Sequence, residues 1–393
     1  MRAMITLVGR VMLSVLAASC SDGGSDAPPS PAQPTATPVT LLTTANPNGD
    51  EDDPFVALDS NGNVHIVWLS DRDGTKDLYR LKSTGIDLAS GTISWGPIEQ
   101  LTAHSPAPVA SIEDNYPSIL IDDTGVIHLT WHRVIPQVSG GMVVGAVSHI
   151  MYKRSNAQGI FSAAGNDESP ITNGSQFDRF PRFSRFSGTD LRIYFTAKNR
   201  PAGHNKNEIY LAQSNDNGSA WPTLTEVPTL NTAGEQSALP TIAKLSPTAF
   251  VATLTRWATN AADDFLDQTA DIFVADSTDG NTWNTPQRVT ADTPDDKLDL
   301  APGFFFNHTG TPFLGWATTG TGDPLLDLLY LPLSQLSQYP AAAIRLNPAQ
   351  NVTDHSVKVL PLTINGQQAF LTVWVRIFTP PHNQVVYRLS SSL

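Results

Sequence analysis

Cysteine is nearly absent from this 393-residue chain, in which Cys20 is the only one. An intramolecular disulfide is therefore excluded. Runs of lysine and arginine are also missing, and 24 basic against 37 acidic residues give a net charge of −13. Nucleic acid needs a positive protein face that displaces counterions, so we do not expect it as a partner. No segment has the 3.6-residue apolar period of an amphipathic helix, which argues against a helical fold.

The first nineteen residues have the features of an export signal. Arg2 and Arg10 accompany an apolar segment, residues 11–18, that is too short to span a bilayer. The sequence Leu-Ala-Ala-Ser then leads into Cys20. This stretch resembles the lipobox of bacterial lipoproteins, which implies a signal peptide over 1–19 and lipid on Cys20. An ordinary secretory signal with an incidental cysteine is the alternative.

Residues 20–38 are rich in proline, serine, glycine, alanine and threonine, a composition that predicts a disordered tether. Ser21, not aspartate, follows the cysteine. By resemblance to Gram-negative lipoproteins, this favours the outer membrane, on its periplasmic or surface side, over the inner membrane. We expect the cell envelope as the location and contact with the membrane through the lipid anchor only.

From about residue 50 the chain repeats a proline, a turn glycine and an aromatic residue, with the aromatic residue six positions after the glycine. The four clear sets are Pro54, Gly62, Trp68; Pro117, Gly125, Trp131; Pro181, Gly188, Tyr194; and Pro302, Gly310, Trp316. Two degenerate units begin at Pro240 and near Val357. Short apolar strands joined by tight glycine turns produce this pattern.

Each unit continues with a third strand that carries an aromatic residue followed by serine, such as Tyr79 and Ser83. A fourth strand often begins at an aromatic residue and ends near Leu-Thr or Val-Thr, as over 95–102, 221–229 and 283–290. Six such units predict an all-β fold, a six-bladed β-propeller of four-stranded blades over residues 39–393. Residues 39–43 resemble 99–102, so they are predicted to complete the last blade and close the ring.

Two segments between third and fourth strands match the Asp-box pattern Ser-x-Asp-x-Gly-x-x-Trp or its shortened form. Their matching residues are Ser214, Asp216, Gly218 and Trp221, and Ser277, Asp279, Gly280 and Trp283. The segments resemble the bacterial-neuraminidase repeats of sialidase-like propellers. The resemblance implies that these residues shape a turn on the face away from the active site and serve the scaffold.

In a propeller, residues before each first strand and loops after each second strand surround the channel at one face, here called the mouth. The first set is mainly acidic, and the second carries bases and rings. Such a mouth suits a glycan or a protein ligand, and an acidic rim favours neutral or cationic sugars. The predicted ligand-binding residues are Asp53, Asp114, His132, Arg133, Arg179, Trp257 and Arg376. No metal site or cofactor is required, although clustered carboxylates would suit calcium.

Resemblance to sialidases also implies where catalytic groups would lie. The corresponding candidates are Asp71, Glu235, Arg256 and His355. The family's Arg-Ile-Pro place reads Asp53-Pro54-Phe55 here, so its arginine is missing. The first hypothesis is therefore a monomeric, non-catalytic module that binds a glycan or a protein. The alternative is a glycoside hydrolase of the sialidase-like superfold.

Overall fold

The computed structural model describes residues 39–42, 49–107, 109–173, 177–198, 200, 205–258, 270–290, 299–320, 323–346, 353–378 and 382–391. The predicted signal peptide, Cys20 and the tether lie outside these residues. The described residues form an all-β structure, in which the helical segments are two 3₁₀ turns, Pro228–Leu230 and Leu333–Gln338. Within this described part, no helix is long and apolar enough to cross a membrane.

The strands follow one another in six antiparallel groups. Group 1 contains β2 (Glu51–Leu58), β3 (Val64–Ser70), β4 (Asp77–Asp87), β5 (Thr92–Trp95) and β6 (Glu99–Gln100). Group 2 contains β7 (Glu113–Ile121), β8 (Ile127–Ser139), β9 (Met142–Arg154) and β10 (Ser169–Pro170). Group 3 contains β11 (Phe177–Ser187), β12 (Asp190–Lys198), β13 (Asn207–Ser214) and β14 (Thr223–Glu226). One parallel pair, Phe177 with Ser148, joins groups 2 and 3 into a single sheet.

The remaining groups are separate sheets. Group 4 contains β15 (Glu235–Ser246), β16 (Ala249–Ala258), β17 (Asp271–Ser277) and β18 (Gln287–Arg288). Group 5 contains β19 (Asp299–Phe306), β20 (Pro312–Gly320), β21 (Asp323–Pro332) and β22 (Ile344–Arg345). Group 6 contains β23 (Thr353–Ile364), β24 (Gln367–Phe378), β25 (His382–Ser390) and the early strand β1 (Thr40–Leu41).

Strand β1 pairs with the last strand, as expected for residues 39–43. Thr40 lies opposite Tyr387, and Leu41 lies opposite Val386. The N–H of Leu42 continues the ladder by donating to the carbonyl of Val385 at 2.9 Å, and its side chain is buried. The two ends of the chain are therefore held in one sheet.

The repeated glycines occupy the turns between first and second strands, where the backbone needs a positive φ. Gly62, for example, has a φ of +80°. The preceding Asp59 accepts hydrogen bonds from the N–H groups of Asn61 and Asn63 at 2.9 Å each. An acid or amide side chain that bonds the backbone two residues on favours such a turn. The local sequence therefore sets the hairpins.

The repeated serines and threonines satisfy the backbone at the edges of the groups. Ser83 Oγ accepts a hydrogen bond from the N–H of Val64 at 2.8 Å. Thr102 Oγ1 accepts one from the N–H of Leu78 at 3.0 Å. The fourth strand of group 3 is shorter than the predicted segment 221–229 and covers only Thr223–Glu226.

The hydrophobic core lies between consecutive groups. The aromatic residues of the second strands are completely buried there, for example Trp68, Trp131 and Trp316. One apolar cluster contains residues of groups 6 and 1, and β2 contacts β24 and β25 there. The first strands also contact one another in the order β2, β7, β11, β15, β19, β23 and back to β2. Each group thus packs against two others.

Candidate functional site

Each first strand is interrupted at the same place by a bulge. The residue at the bulge has a positive φ in every group although none is glycine: Asp53, Tyr116, Phe180, Leu239, Ala301 and Ser356. The repeated prolines directly follow these residues in groups 1 to 5. Pairing with the second strand resumes two residues beyond the bulge, at Phe55, Ser118, Arg182, Thr241, Gly303 and Lys358. These six are called the inner positions below.

Residues at the inner positions of different groups meet at a common centre. The Arg182 guanidinium carbon lies 5.4 Å from the centroid of the Phe55 ring, and Lys358 Nζ lies 5.6 Å from it. Groups 1 and 3 are not consecutive, so this contact requires both side chains to face a shared space. We call Asp53, Phe55, Tyr116, Arg182 and Lys358 the central cluster.

Electrostatics in the central cluster are strongly perturbed. Desolvation and the neighbouring Asp52 raise the pKa of the Asp53 carboxyl well above its usual range. Desolvation and the charge of Arg182 lower the pKa of Lys358 to about 7. Within the described part of the chain, Asp53 forms no salt bridge with Arg182 or Lys358. Two cationic groups and one carboxyl group are thus held near one another without direct pairing.

Around the centre, an acidic residue at the start of each first strand meets a partner from the end of the second strand. Three of these pairs are bidentate: Asp114 with Arg133 at 2.7 and 2.8 Å, Asp178 with Arg200 at 3.0 Å twice, and Asp354 with Arg376 at 2.8 Å twice. Glu51 pairs with Arg72, and Glu235 lies 3.4 Å from Arg256. In group 5, Asp299 accepts a hydrogen bond from the Trp316 indole instead.

We call these acid–partner contacts around the centre the rim pairs. They contain five of the residues predicted to bind ligand or to catalyse. Asp114 and Arg376 are buried, and Arg133 also binds Glu168 at 2.6 Å. Burial opposes the charge of Asp114, but hydrogen bonds from Arg133 and His104 outweigh it and hold the pKa of Asp114 below its usual value. Arginines therefore neutralise much of the rim that the sequence suggested was acidic, and the expected preference for neutral or cationic sugars loses its basis.

Asp77, His104 and Asp114 form the one group among the described residues with a spacing that could hold a metal ion. His104 Nε2 lies 3.0 Å from Asp114 and 3.8 Å from Asp77. The same Asp114 oxygen accepts a hydrogen bond from Arg133. A cation would have to displace that guanidinium, so the arrangement fits a hydrogen-bonded network between groups 1 and 2 better than a metal centre.

The predicted aromatic and basic residues of the mouth are packed against one another. His132 stacks on Tyr116 with ring centroids 5.4 Å apart, and Phe180 packs edge-on to both rings. Burial and the charge of Arg179 lower the pKa of His132 to about 3, so the imidazole is neutral. Trp257 is buried in a cluster that includes Phe180. These rings support the wall of the mouth.

The two other predicted catalytic residues, His355 and Asp71, lie on either side of the junction between groups 1 and 6. His355 Nδ1 is 3.0 Å from Ser356 Oγ and 3.9 Å from an Asp52 oxygen. Asn383 donates to the other Asp52 oxygen at 2.8 Å. Asp71 accepts a hydrogen bond from the N–H of Asp50 at 2.9 Å, which braces the segment leading into β2.

The two segments with the Asp-box pattern make internal contacts. Ser214 Oγ donates to Asp216 at 2.7 Å and accepts from the N–H of Gly218 at 2.9 Å. A Cβ at Gly218 would lie 1.9 Å from the Tyr152 hydroxyl, so only glycine fits. Trp221 packs edge-on to Tyr152 in the preceding group, with centroids 5.1 Å apart. These contacts fit the predicted scaffold role.

The second segment is built in the same way. Ser277 Oγ donates to Asp279 at 3.1 Å, and Asp279 accepts the N–H of Thr282 at 2.8 Å. The carbonyl of Gly280 accepts a hydrogen bond from the Tyr194 hydroxyl of group 3 at 2.7 Å. Trp283 is buried in the core between groups 3 and 4. Because strand directions alternate, both segments lie at the end of the groups opposite the mouth.

Sequence reasoning missed Arg182 and Lys358, two central residues. Each stands two residues after the positive-φ residue of its bulge; the repeated proline directly precedes Arg182, whereas Val357 stands in that place before Lys358. Comparing that position across the six units would have revealed one phenylalanine, two cations and one glycine among them. The repeat thus carried a signal for the centre as well as for the fold.

No protein-family model matches the chain, and no curated protein sequence matches it. Among solved structures, it resembles the α-L-arabinofuranosidase of Fusarium graminearum (TM-score 0.61, 12% identity, 91% of this chain and 98% of that one). It is equally similar to an α-L-arabinanase of Penicillium chrysogenum, solved with arabinobiose (TM-score 0.61, 12% identity, 91% and 98%). The NanB sialidase of Streptococcus pneumoniae is also similar (TM-score 0.55, 10% identity, 89% and 69%). The chain has the sialidase-like β-propeller fold of these enzymes.

Proposed function

We propose that this protein is a non-catalytic, glycan-binding lipoprotein whose body is a closed propeller of six blades. Two observations support the closed ring: the cyclic order of contacts between first strands, and the core shared by groups 6 and 1. The ligand site is the central cluster, with Arg179 and His355 beside it. The protein is expected to act as a monomer.

The observation that carries this proposal is the contrast between the rim and the centre. The rim acids and arginines are joined in ion pairs and so hold the strands together. In the described part of the chain, the Arg182 guanidinium donates only to the main-chain carbonyls of Pro117 and Pro181. A carboxyl group, two cations and the faces of two rings suit a sugar, whose hydroxyls both donate and accept hydrogen bonds.

A binding role fits the carboxyl groups better than hydrolysis does. Glycosidases place two carboxyl groups on either side of the scissile bond, about 5–10 Å apart. Here Asp114 and Asp354 are engaged by arginines, and Glu235 lies beside Arg256. Asp52 and Asp53 are outside these pairs, but they are consecutive residues of one strand.

Glycan binding is tested on an array that includes arabinan oligosaccharides and sialosides, with the purified full chain. Arg182→Gln removes a charged hydrogen-bond donor, a loss of about 1.5–3 kcal/mol or roughly ten- to a hundred-fold in affinity. Arg185→Gln is the matched control, because Arg185 is on the same strand but pairs with the exposed Asp123. Equal affinity of the two variants, or no bound glycan, would contradict the proposal.

The lipid anchor has its own test. Cys20→Ala should leave the body folded and move the protein from the detergent phase to the aqueous phase on partition, because the thiol that would be acylated is gone. A wild-type protein that already stays in the aqueous phase would show that there is no anchor.

A glycoside hydrolase remains the second candidate, favoured by the raised pKa of Asp53. A carboxyl group that keeps its proton beside an acidic neighbour is suited to act as a general acid. A panel of fluorogenic glycosides, including an α-L-arabinofuranoside and a sialoside, decides between the two. Turnover that disappears in Asp53→Asn or Glu235→Gln would establish the enzyme, and absence of turnover would support the binding protein.

A further inference from the structure

Among the described residues, Lys153 is buried and Lys358 is half-buried, and their amines meet different surroundings. Lys153 has no exposed surface, and its Nζ donates to the carbonyls of Leu101 and Ala163 at 3.1 Å each. Lys358 Nζ donates only to the carbonyl of Val357, at 3.0 Å, among the described residues. Lys153 therefore has acceptors for its amine and serves the structure, whereas the amine of Lys358 has further N–H groups that donate to no acceptor among the described residues.

The Lys358 side chain borders a cavity of about 230 Å³ between the first strands of groups 1, 5 and 6. The wall is mainly apolar, with Phe55, Phe304 and Leu360 in it, and Lys358 is the one charged residue among the described lining residues. The space exists because the inner position of group 5 is Gly303, where a Cβ would meet no atom within 4 Å. Cavities of about 150 Å³ with apolar walls accept a benzene-sized ligand.

The surroundings also set the reactivity of the amine. Desolvation in the centre and repulsion by Arg182 lower the pKa of Lys358 to about 7. About half of this amine is therefore neutral at pH 7, against roughly one in 2,500 for an ordinary lysine with a pKa near 10.4. A neutral amine in an apolar site is a nucleophile for carbonyl groups.

We propose that Lys358 is a covalent binding site for a small apolar aldehyde, which it captures as an imine inside this cavity. The cavity shares Phe55 and Lys358 with the central cluster proposed above to bind a glycan, but capture of an aldehyde does not require that function. An aromatic aldehyde of one ring fits both the volume and the phenylalanine-rich wall.

The chemistry balances without a further reactant. The nitrogen lone pair of Lys358 attacks the carbonyl carbon, and the carbonyl oxygen becomes a hydroxyl group after a proton moves from nitrogen to oxygen. The hydroxyl group takes up a proton from the solvent and leaves as water, and the nitrogen gives a proton back to the solvent. The products are one C=N bond and one water molecule.

The test treats the full chain with benzaldehyde and sodium cyanoborohydride, which reduces the imine to a stable benzyl amine, and maps the adducts by peptide mass. At pH 7 the benzyl group is expected on Lys358, at least about ten-fold faster than on the exposed Lys82 and with Lys153 unmodified. The ratio of labelling on Lys358 to labelling on exposed lysines should fall as pH rises towards 10, because ordinary lysine amines lose their protons in that range.

Two variants separate the cavity from the amine. Lys358→Met should remove the adduct, and Gly303→Leu should reduce Lys358 labelling by about ten-fold or more by filling the space, while leaving the amine in place. If Lys358→Met does not fold, Gly303→Leu and the pH-dependent ratio still decide. Labelling of Lys358 at the Lys82 rate, or unchanged labelling in Gly303→Leu, would overturn the proposal, whatever the glycan array shows.

Discussion

Removing the charge of Asp114 tests whether the rim pairs hold the fold or contact a ligand. Asp114 has no exposed surface and accepts hydrogen bonds from Arg133 at 2.7 and 2.8 Å and lies 3.0 Å from His104 Nε2. Breaking a buried ion pair by removing one partner costs about 3–5 kcal/mol, because the other charge is left without its counterion. Arg133 keeps Glu168 as a second partner at 2.6 Å. We therefore expect Asp114→Asn to lower the free energy of unfolding by about 2–4 kcal/mol, slightly less than if Arg133 were left without any counterion.

The measurement is urea unfolding of the full chain followed by tryptophan fluorescence, with glycan affinity measured on the folded variants. Asp123→Asn is the control, because the Asp123 side chain is 87% exposed while it pairs with Arg185 at 2.8 Å. Exposed pairs contribute little, so this variant should unfold like the wild type.

The two outcomes are distinct. A rim that serves the scaffold predicts a large loss of stability in Asp114→Asn and an unchanged glycan affinity at temperatures where the variant is folded. If Asp114→Asn is as stable as Asp123→Asn but binds glycan more weakly, Asp114 contacts the ligand. The assignment of the rim pairs to the scaffold would then be refuted.

Three further predictions concern the scaffold. Gly280→Ala should lower the free energy of unfolding in urea by about 2–5 kcal/mol, since the φ of Gly280 is +68° and a Cβ would lie 1.7 Å from the Phe186 ring. Gly62 also has a positive φ but faces open space, so Gly62→Ala should lower it by only about 1–2 kcal/mol. Equal losses in the two variants would contradict the close approach of Gly280 to Phe186. Burial alone would lower the pKa of His104, but its hydrogen bond to Asp114 outweighs burial and raises the pKa. The stabilisation by protonated His104 is therefore complete below about pH 6.5 and is lost as pH rises through the raised pKa. The urea midpoint of the wild type should therefore fall between pH 6 and 8 more than that of His104→Gln, and parallel profiles would exclude the effect. Deleting residues 39–42 should lower the melting temperature of the whole body, because β25 loses its partner strand, whereas deleting 25–34 should not; equal melting temperatures would argue against the role of β1.

The features that the sequence predicted well are those that depend on a few consecutive residues. A glycine at the hairpin turn and an apolar second strand with an aromatic residue each follow from local conformation or from the pattern along a strand. Gly62 and Trp68 show both in one group. Repetition then made the pattern visible even where single units, such as the one near Val357, had lost the proline.

The arrangement of charges could not be predicted in the same way, although part of it was within reach. Asp354 lies directly opposite Arg376, and Asp114 lies opposite Arg133, in the registers of their hairpins. Centring each hairpin on its turn would have paired these residues and removed them from the set of free ligand-binding groups. The meeting of Phe55 with Lys358 has no such local signal, because it depends on how distant strands pack around one centre.

The inner positions carry different side chains in the six groups, although each follows an equivalent bulge. A purely structural role would favour similar side chains at equivalent bulges, as it does for the buried tryptophans beneath the rim. Instead the positions carry Phe55, Ser118, Arg182, Thr241, Gly303 and Lys358. The glycine opens a space beside the lysine, and the arginine and lysine lie over one phenylalanine ring. On the proposed function, the side chains at these positions determine ligand preference, so exchanging residues among them should change that preference before it changes the fold.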